Sequence, residues 1–392
     1  MQPRPTILIY HNELLPYSAT FIRTQAAALD SFNVGFAGLF PSRRTSLDLQ
    51  LGFPPVLLTT DHSPLSRLRR NFFKRTGHGG KNFLRELEGR SPVLIHAHFA
   101  LDASVALNIA EDLGIPLVTT LHGYDVTIHD EVLSRSPEGR VYLRRRERLW
   151  DRCAHFFCSC DYIRGRAIDR GYPPEKLETL YSGHDLATFD IPEVPRNRNL
   201  IVYVGRLVEK KGCSFLIRAA HLASRECPAL EIAVIGEGPL RPELETLAKE
   251  LGVRCRFLGA LSDPEPGNSV LDWLNRARVF CMPSVTASDG NSEGQPAVFV
   301  EAHALGLPAV SFDTAGIGEA VLNGQTGLLV PERDIEKLAD ALTQMLKNDD
   351  LWGRFSNRAR SWVAERFDIR GLTIQLENAY RRVLEDSEAK SL

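Results

Sequence analysis

Short apolar runs alternate with amphipathic stretches along most of the chain, and this alternation predicts its secondary structure. The runs are rich in Val, Ile, Leu and Phe, which is typical of strands buried on both faces. In the first half we expect strands at Thr6–Tyr10, Val34–Leu39, Val93–His98, Leu117–Leu121, Phe156–Ser159 and Glu178–Tyr181. In the second half we expect them at Leu200–Val204, Glu231–Ile235, Cys255–Leu258, Val279–Met282, Ala309–Phe312 and Leu328–Val330. Helical spacing between the runs, as at Ser214–Ser224, Pro239–Leu251 and Val298–Leu305, indicates repeated βα units and parallel sheets.

A polar segment with two prolines, residues 191–199, separates the two series of βα units. We therefore expect an α/β fold of two Rossmann-like, doubly wound domains. The predicted bounds are residues 1–190 for the first domain, 191–199 for a linker and 200–368 for the second domain. Residues 369–392 form a terminal segment in which Leu372–Glu385 has a helical pattern and little strand character.

Composition narrows the class of protein. The 392 residues include 47 Lys and Arg against 49 Asp and Glu, so no overall field attracts nucleic acid. The seven cysteines lie mostly in apolar runs and lack the spacing of a zinc site, which favours buried thiols in a reducing compartment. Met1–Tyr10 has no secretory-signal pattern, and no apolar stretch approaches about 20 residues. We expect a cytoplasmic protein, soluble or peripheral on the inner face of the cytoplasmic membrane.

The first candidate motif follows the strand at Leu200–Val204. Gly205 permits a sharp exit from that strand, and Arg206 and Lys211 then lie at its carboxyl end, where open α/β sheets bind ligands. A diphosphate needs such cations as its bond to a sugar breaks. From this segment alone, a solvated loop with ordinary surface cations is an equal alternative.

The second motif spans residues 288–301. Pro296 suits the first turn of a helix, whose free N–H groups favour an anion. The N–H groups concerned belong to Gly294, Gln295, Ala297 and Val298. Glu293 precedes that turn and Glu301 follows eight residues later, about two helical turns along. One carboxylate could then face a sugar while the other reaches a ribose, although Glu293 could also be a helix-capping carboxylate.

Together the two motifs resemble the retaining glycosyltransferases of family 4, the glycosyl transferases group 1. The pattern Gly205-Arg206 to Lys211-Gly212 resembles that family's phosphate-contacting motif, and Glu293 with Glu301 resembles its paired-glutamate motif. Residues 233–239, 257–259 and 318–330 are similar to further family segments, with Gly318 where many relatives have proline. Residues 95–99, 122–125 and 289–293 look most like the exopolysaccharide and colanic-acid subgroup.

The resemblance implies a GT-B fold, with two domains facing a central cleft and a last helix that crosses back to the first domain. It also implies roles for individual residues. The implied catalytic residues are His122, Glu293, Arg206 and Lys211. The implied donor-binding residues are Gly205, Arg206, Lys211, Phe257, Gly259, Glu293, Gly294, Gln295, Ala297, Val298 and Glu301.

The acceptor side of the resemblance is in the first half. Asp125 would lie near the acceptor or its loop. Many relatives carry paired glycines where this chain has Leu15–Phe21, so Tyr17, Ser18 and Thr20 would shape the acceptor side.

The implied reaction moves a hexose from a nucleoside diphosphate sugar, with a UDP-sugar favoured and GDP-mannose as an alternative. The implied acceptor is a glycan, such as a polyprenyl-diphosphate-linked oligosaccharide, in surface or exopolysaccharide biosynthesis. Retention is expected, with no metal ion, no other cofactor and no nucleic acid partner. Two alternatives stay open: a sugar-nucleotide epimerase of the same shape, and a non-catalytic module that binds nucleotide sugars.

Two basic stretches have no place in this motif set. The first runs from Arg67 to Arg85 with phenylalanines between the cations, and the second includes Arg144, Arg145, Arg146 and Arg148. Each is explained by a solvated helix or by a surface that contacts anionic lipid. Similarly, His96 and His98 alternate along one strand and so share a face, where buried core histidines are a more common explanation than ligands.

Overall fold

The computed structural model describes residues 4–14, 20–42, 54–192, 194–261 and 267–391. The chain forms two compact units, the first from residues 1–183 with 369–392 and the second from residues 184–368. By this division the polar segment 191–199 lies within the second unit.

The first unit is built on a parallel sheet whose central strands are fully buried. Its strands are β1 Thr6–Tyr10, β2 Glu13–Leu14, β3 Asn33–Gly38, β4 Phe40–Pro41, β5 Val56–Leu57, β6 Pro92–His98, β7 Leu117–Leu121, β8 His155–Cys158 and β9 Leu177–Thr179. Its helices are α1 Thr20–Ala27, α2 Pro64–Thr76, α3 Lys81–Glu88, α4 Ala100–Leu113, α5 Tyr124–Thr127, α6 Asp130–Leu133, α7 Pro137–Arg152 and α8 Asp161–Asp169. The main sheet has the order β5-β3-β1-β6-β7-β8-β9, and β2 pairs with β4. The strand order reverses between β1 and β6, where a doubly wound sheet opens a crevice at its carboxyl edge.

The second unit repeats this architecture. Its strands are β10 Leu200–Val204, β11 Glu231–Ile235, β12 Cys255–Gly259, β13 Val279–Cys281, β14 Ala309–Asp313 and β15 Gly327–Pro331. Its helices are α9 Cys213–Ala223, α10 Arg241–Glu250, α11 Val270–Arg276, α12 Ala297–Ala304, α13 Ile317–Ala320, α14 Ile335–Lys347 and α15 Asp349–Arg366. The sheet order β12-β11-β10-β13-β14-β15 places the reversal between β10 and β13.

The last helix, α16, spans Ile369–Ser391 and packs on the first unit. Tyr380 on this helix is fully buried, and its hydroxyl lies 2.6 Å from Nδ1 of His96. Glu377 accepts hydrogen bonds from the backbone N–H groups of Asp30 and Ser31, at 2.7 Å each. These polar contacts, one of them to the central strand β6, fix the helix to the first unit.

The first basic stretch is divided between two faces of α2 and α3. Arg70 is buried and donates to Thr59 and to the carbonyl of Asp61, while Lys74 is buried and pairs with Glu138 at 2.9 Å. The interpretation of the whole stretch as one cationic surface is therefore wrong for Arg70 and Lys74. Both cations instead fasten α2 to its neighbours. No helix among the described residues is long and apolar enough to cross a membrane.

Candidate functional site

The carboxyl ends of β10 and β11 approach so closely that only glycine fits between them. Gly236 has φ 138°, and a Cβ there would lie 2.0 Å from the carbonyl oxygen of Gly205. A Cβ on Gly238 would likewise lie 2.4 Å from the carbonyl oxygen of Leu207. The backbone N–H of Gly205 donates to Ile235 at 2.9 Å across this junction. Close packing of the backbone thus explains why glycines stand at both ends of Gly236-Glu-Gly238.

The turn after β10 is joined to the loop after β13. A Cβ on Gly212 would lie 1.8 Å from the carbonyl oxygen of Pro283, and Gly212 has φ 67°. Val285 donates its N–H to the carbonyl of Lys210 at 2.8 Å. Ser288 donates its N–H and its hydroxyl to the carboxylate of Glu209. These contacts bring segments about 80 residues apart to the strand-order reversal of the second sheet.

A buried carboxylate faces two lysines at this junction. Oε1 of Glu293 lies 3.0 Å from Nζ of Lys211 and 3.5 Å from Nζ of Lys210. Both contacts are ion pairs by distance, and among the described residues no well-aligned donor hydrogen-bonds to this buried oxygen, so it can still accept a hydrogen bond. Burial alone would raise the pKa of Glu293, but Lys211 and Lys210 outweigh burial and lower it. Glu293 is therefore ionised at neutral pH.

Sequence reasoning missed Lys210. Its side chain is 22% exposed, close to the 18% of Lys211, and its Nζ also reaches the carbonyl of Ser292 at 3.5 Å. Burial lowers the pKa of Lys210, and Glu293 opposes that shift. The tandem of lysines before Gly212 was the available signal, but only the fold shows that both turn toward one carboxylate.

Arg206 lies next to this cluster in the chain and is exposed. Within the described part of the chain, no carboxylate forms an ion pair with its guanidinium. The residue is thus a cation available to an anionic ligand, as the sequence predicted, and its contact with phosphate stays a prediction.

Helix α12 begins at Ala297 with Pro296 as its N-cap residue, and no side chain caps it. Glu293 is therefore not a capping carboxylate. Glu301 is the fifth residue of the helix, so it lies about one turn inside α12 and not two turns after Glu293. Burial raises the pKa of Glu301 to about 6, and no described residue donates a hydrogen bond to its carboxylate. The first N–H groups of the helix, with those of Gly294 and Gln295 before it, are near a positive dipole end.

The end of β12 borders the same crevice. The backbone N–H of Gly236 donates to the carbonyl of Gly259 at 2.8 Å, and Arg241 donates to the carbonyl of Phe257 at 3.3 Å. Gly259 has φ 73°, which favours glycine. The predicted contact of Phe257 and Gly259 with a base stays a prediction.

The first unit has its own cluster at the reversal between β1 and β6. Nε2 of His122 lies 3.0 Å from Nδ1 of His98, and the two rings stack at 5.3 Å. The rings of Phe21 and Phe99 lie 4.8 and 4.6 Å from the ring of His122. Burial, with the neighbouring His96 and His11, lowers the pKa of His122 to about 3. His122 is therefore a neutral imidazole at working pH.

The backbone around this cluster is held in an unusual conformation. Phe99 has φ 69°, which a side-chain-bearing residue rarely adopts and which marks strain near functional sites. Asp102, in the first turn of α4, accepts from the backbone and the side-chain amide of Asn12 at 2.7 and 2.6 Å and lies 3.2 Å from Nδ1 of His11. Sequence reasoning identified His122 but not His98, Phe99 or Asp102 as its surroundings.

Asp125 holds the turn that carries His122. It is 2% exposed, and its oxygens accept from the N–H groups of Ala100, His122 and Gly123 at 3.0, 3.2 and 3.0 Å. The geometry favours this loop role, and a contact with an acceptor stays a prediction. Tyr17 and Ser18 lie outside the described residues, and Thr20 is the first residue of α1 with a side chain that is also outside them.

Comparisons with known proteins identify the family of the chain. Residues 198–348 match the family described as glycosyl transferases group 1, and residues 19–188 match glycosyltransferase family 4. The chain is 30% identical over 293 residues to the putative colanic acid biosynthesis glycosyltransferase WcaL of Salmonella typhimurium, covering 73% of this chain and 70% of that protein. It is 32% identical over 286 residues to WcaL of Escherichia coli, covering 71% and 68%.

Solved structures are similar over nearly the whole chain. Anabaena HepE in complex with UDP and glucose has a TM-score of 0.73 at 19% identity, covering 96% of this chain and 100% of that one. The lipopolysaccharide outer core galactosyltransferase WaaB has a TM-score of 0.66 at 15% identity, covering 99% and 100%. The fold is thus GT-B, made of two Rossmann-like domains. The chain belongs to glycosyltransferase family 4, and its similarity to the colanic-acid subgroup is confirmed.

Proposed function

We propose that the protein moves a hexose from a nucleoside diphosphate sugar to a glycan, with retention of the anomeric configuration and without a divalent metal ion. The observation that carries this proposal is the Lys210–Lys211–Glu293 cluster at the strand-order reversal of the second sheet. Together with Arg206, the lysines leave two positive charges beyond the charge of Glu293. Two phosphates in diester linkage carry two negative charges, so the cluster matches a nucleotide-sugar diphosphate.

The reaction balances without another reactant. The acceptor oxygen bonds to the anomeric carbon on the face from which the diphosphate leaves, and the bond from that carbon to the phosphate oxygen breaks. The acceptor proton passes to the departing phosphate. Arg206, Lys211 and the N-terminus of α12 stabilise the negative charge that develops there, which supplies the role of a metal ion.

The remaining residues orient the donor. Oε1 of Glu293 accepts a hydrogen bond from a sugar hydroxyl, and Glu301 accepts from the ribose hydroxyls. His122 supports the sugar as a neutral group, because a protonated imidazole would oppose the positive charge that develops on the sugar ring.

The relatives guide the choice of substrates. HepE is described in complex with UDP and with UDP-glucose, which favours a UDP-sugar here. A GDP-mannose-dependent mannosyltransferase of Mycobacterium tuberculosis is 28% identical over 279 residues, which keeps GDP-mannose as an alternative. The colanic acid and amylovoran biosynthesis relatives favour a role in exopolysaccharide biosynthesis, for which we propose a lipid-linked glycan acceptor.

Calorimetry tests the phosphate cluster. We expect UDP or GDP to bind alone, and Lys211→Ala and Arg206→Ala each to weaken binding by at least tenfold, since a hydrogen bond to a charged group contributes about 1.5–3 kcal/mol. Lys249→Ala, which removes an exposed lysine of the same unit, is the matched control and should bind as the wild type does. Unchanged affinity in both cluster variants would refute the phosphate site.

Product analysis tests the reaction itself. UDP-, GDP- and ADP-sugars are screened for thermal stabilisation, and the best donor is incubated with lipid-linked and soluble glycans. NMR of the product should show the anomeric configuration of the donor. An inverted product would exclude front-face transfer, and epimerised free nucleotide sugar would identify an epimerase.

A further inference from the structure

An apolar stripe runs along the exposed face of α2. Leu65, Leu68 and Phe72 are 77%, 67% and 54% exposed, which makes them three of the most exposed large apolar side chains among the described residues. Their spacing of three and four residues places them on one face of the helix. Arg75 follows at the next such position, so the stripe ends in a cation.

The opposite face of α2 is fixed to the rest of the unit. Phe73 packs edge-on against Phe83, and Lys74 pairs with Glu138 of α7. The exposed stripe is therefore not the core face of a displaced helix. It is the outer face of a helix whose inner face is already packed.

The structure brings the two basic stretches together at the end of this stripe. Arg145 on α7 donates to the carbonyl of Arg75 at 2.8 Å and to the carbonyl of Ser104 at 3.0 Å. A cavity of about 710 Å³ opens there. Its lining is Arg75, Arg140, Val141, Leu143, Arg144 and Arg145, and we call it the arginine cleft.

The arginine cleft concentrates positive charge. In the described ranges, no carboxylate oxygen lies within ion-pair distance of its four guanidinium groups. The hydrogen bonds that Arg140, Arg144 and Arg145 do make go to backbone carbonyls. Burial chiefly lowers the pKa of Arg145; the neighbouring Arg148 and Arg144 lower it further, and Glu111 opposes them. An anion bound in the cleft would relieve this repulsion.

We propose that the stripe and the arginine cleft form a binding site for phosphate-bearing lipid at a membrane surface. Leu65, Leu68 and Phe72 enter the boundary between headgroups and acyl chains, and the cleft arginines bind lipid phosphates. Charge complementarity selects this occupant, because an apolar stripe that leads directly into unpaired guanidiniums matches an amphiphile with an anionic head. Arg69, exposed about 40° around the helix axis from Leu65, adds a cation beside the stripe. Lipid binding at this site does not depend on the proposed function. Only its biological role does, which is to bring the enzyme to a lipid-linked acceptor.

Co-sedimentation of the full chain with vesicles tests this site. Vesicles of phosphatidylglycerol mixed with phosphatidylcholine are compared with pure phosphatidylcholine, at low and high salt. We expect binding to the anionic vesicles that weakens as salt rises, because exposed charges are screened over about 10 Å at 0.1 M. Wild-type protein that ignores anionic vesicles at low salt, or that binds pure phosphatidylcholine equally, would overturn the proposal.

Two variants separate the parts of the site. Arg75→Gln/Arg140→Gln/Arg144→Gln removes three cleft charges and keeps Arg145, which holds α2. At roughly 1 kcal/mol, or about fivefold, per arginine, binding to anionic vesicles should fall about 100-fold. Leu65→Ser/Leu68→Ser/Phe72→Ser should also release the protein from the vesicles. Either triple variant binding as the wild type does would overturn its half of the site.

A matched control guards against a general effect of net charge. Arg218→Gln/Arg225→Gln/Arg354→Gln removes three exposed arginines of the second unit and should leave vesicle binding unchanged. If this control weakens binding as much as the cleft variant does, the cleft is not a specific site. Thermal unfolding checks that all variants fold, and the cleft variant should not melt below the wild type. Calorimetry of UDP keeps the two proposals apart, because loss of vesicle binding with intact UDP binding refutes only the lipid site.

Discussion

Replacing Glu293 by Gln removes one charge from the cluster and keeps its shape. At an effective dielectric constant of about 20, the contacts of 3.0 and 3.5 Å each have a gross attraction of about 5 kcal/mol. Desolvation and the repulsion between the lysines offset much of this, and breaking a buried ion pair costs about 3–5 kcal/mol net. We expect Glu293→Gln to lose about 3 kcal/mol of stability, or roughly 6–12 °C in Tm for a unit of this size.

A bound diphosphate should restore what the variant lost, because its negative charges replace that of Glu293. We therefore expect UDP to bind Glu293→Gln more tightly than the wild type and, at the same free UDP concentration, to raise its Tm more. At 100 times Kd the wild type gains about 2.7 kcal/mol. Transfer should nevertheless fall at least 100-fold, the loss typical when one group that contacts the reacting centre is removed.

Scanning calorimetry with and without UDP, together with a transfer assay, measures both effects. Glu243→Gln is the matched control, because Glu243 is an exposed carboxylate of the same unit on α10, outside the candidate site. It should change neither the UDP effect nor transfer by more than a few-fold. The reasoning is refuted if UDP stabilises Glu293→Gln less than the wild type, since the lysines would then not face the diphosphate.

Three further predictions concern protonation. Because burial raises the pKa of Glu301 to about 6, donor affinity should fall about fourfold between pH 7.5 and 5.5 as this carboxylate protonates, and Glu301→Gln should bind weakly at both values. Calorimetry with UDP-glucose, whose phosphates do not titrate in this range, measures the change. Because burial lowers the pKa of His122 to about 3, the ¹⁵N chemical shifts of His122 should be those of a neutral ring at pH 5. His98→Ala should change the tautomer ratio of His122, because it removes the ring nitrogen 3.0 Å away. An imidazolium spectrum at pH 5 would contradict the burial argument. Burial lowers the pKa values of His96 and His303 to about 3 and 4, so at pH 5 these histidines are neutral in the folded protein but protonated in the unfolded chain. The free energy of unfolding should therefore fall below pH 6.5, by about 2 kcal/mol per buried histidine down to pH 5, while Glu301 acts in the opposite sense. A urea-unfolding free energy that does not change with pH would refute the prediction.

The strands were readable from the sequence because their signal is local. All twelve predicted strands occur, several with the predicted bounds, such as β1, β7 and β10. The missed strands β2, β4 and β5 have two residues each, too few to show any period. These short strands form because the backbone of an adjacent strand provides hydrogen-bond partners. That adjacency is created by the fold and cannot be read from the segment itself.

The sequence pointed to Arg206 and Lys211, which follow strand β10, and to Glu293, which precedes helix α12, because charged residues at such positions suggest a ligand site. Their chemical roles stay predictions. The candidate site was not predictable where the environment decides. Lys210 looks like any surface lysine until the loop after β13 brings Glu293 to it. In the sequence Arg70 and Lys74 look like surface cations. In the fold both are buried, Arg70 donating to Thr59 and Lys74 pairing with Glu138. A buried charged residue needs an oppositely charged or hydrogen-bonding partner, and the tertiary packing determines which residue that partner is.

The electrostatics of the two units differ in a way that suits the proposed reaction. The cluster of the second unit is cationic, because its lysines share a single carboxylate. The histidines in the cluster of the first unit are neutral, because burial lowers the pKa values of His96, His98 and His122. As the sugar–phosphate bond breaks, negative charge grows on the diphosphate and positive charge on the sugar ring. A cationic site stabilises the negative charge on the diphosphate, and only a site without protonated histidines avoids opposing the positive charge on the sugar ring.

A histidine of ordinary pKa would be half protonated near pH 6.5. Under the proposed role of His122, the stacked and buried arrangement around it keeps its imidazole neutral, so that it adds no positive charge beside the sugar.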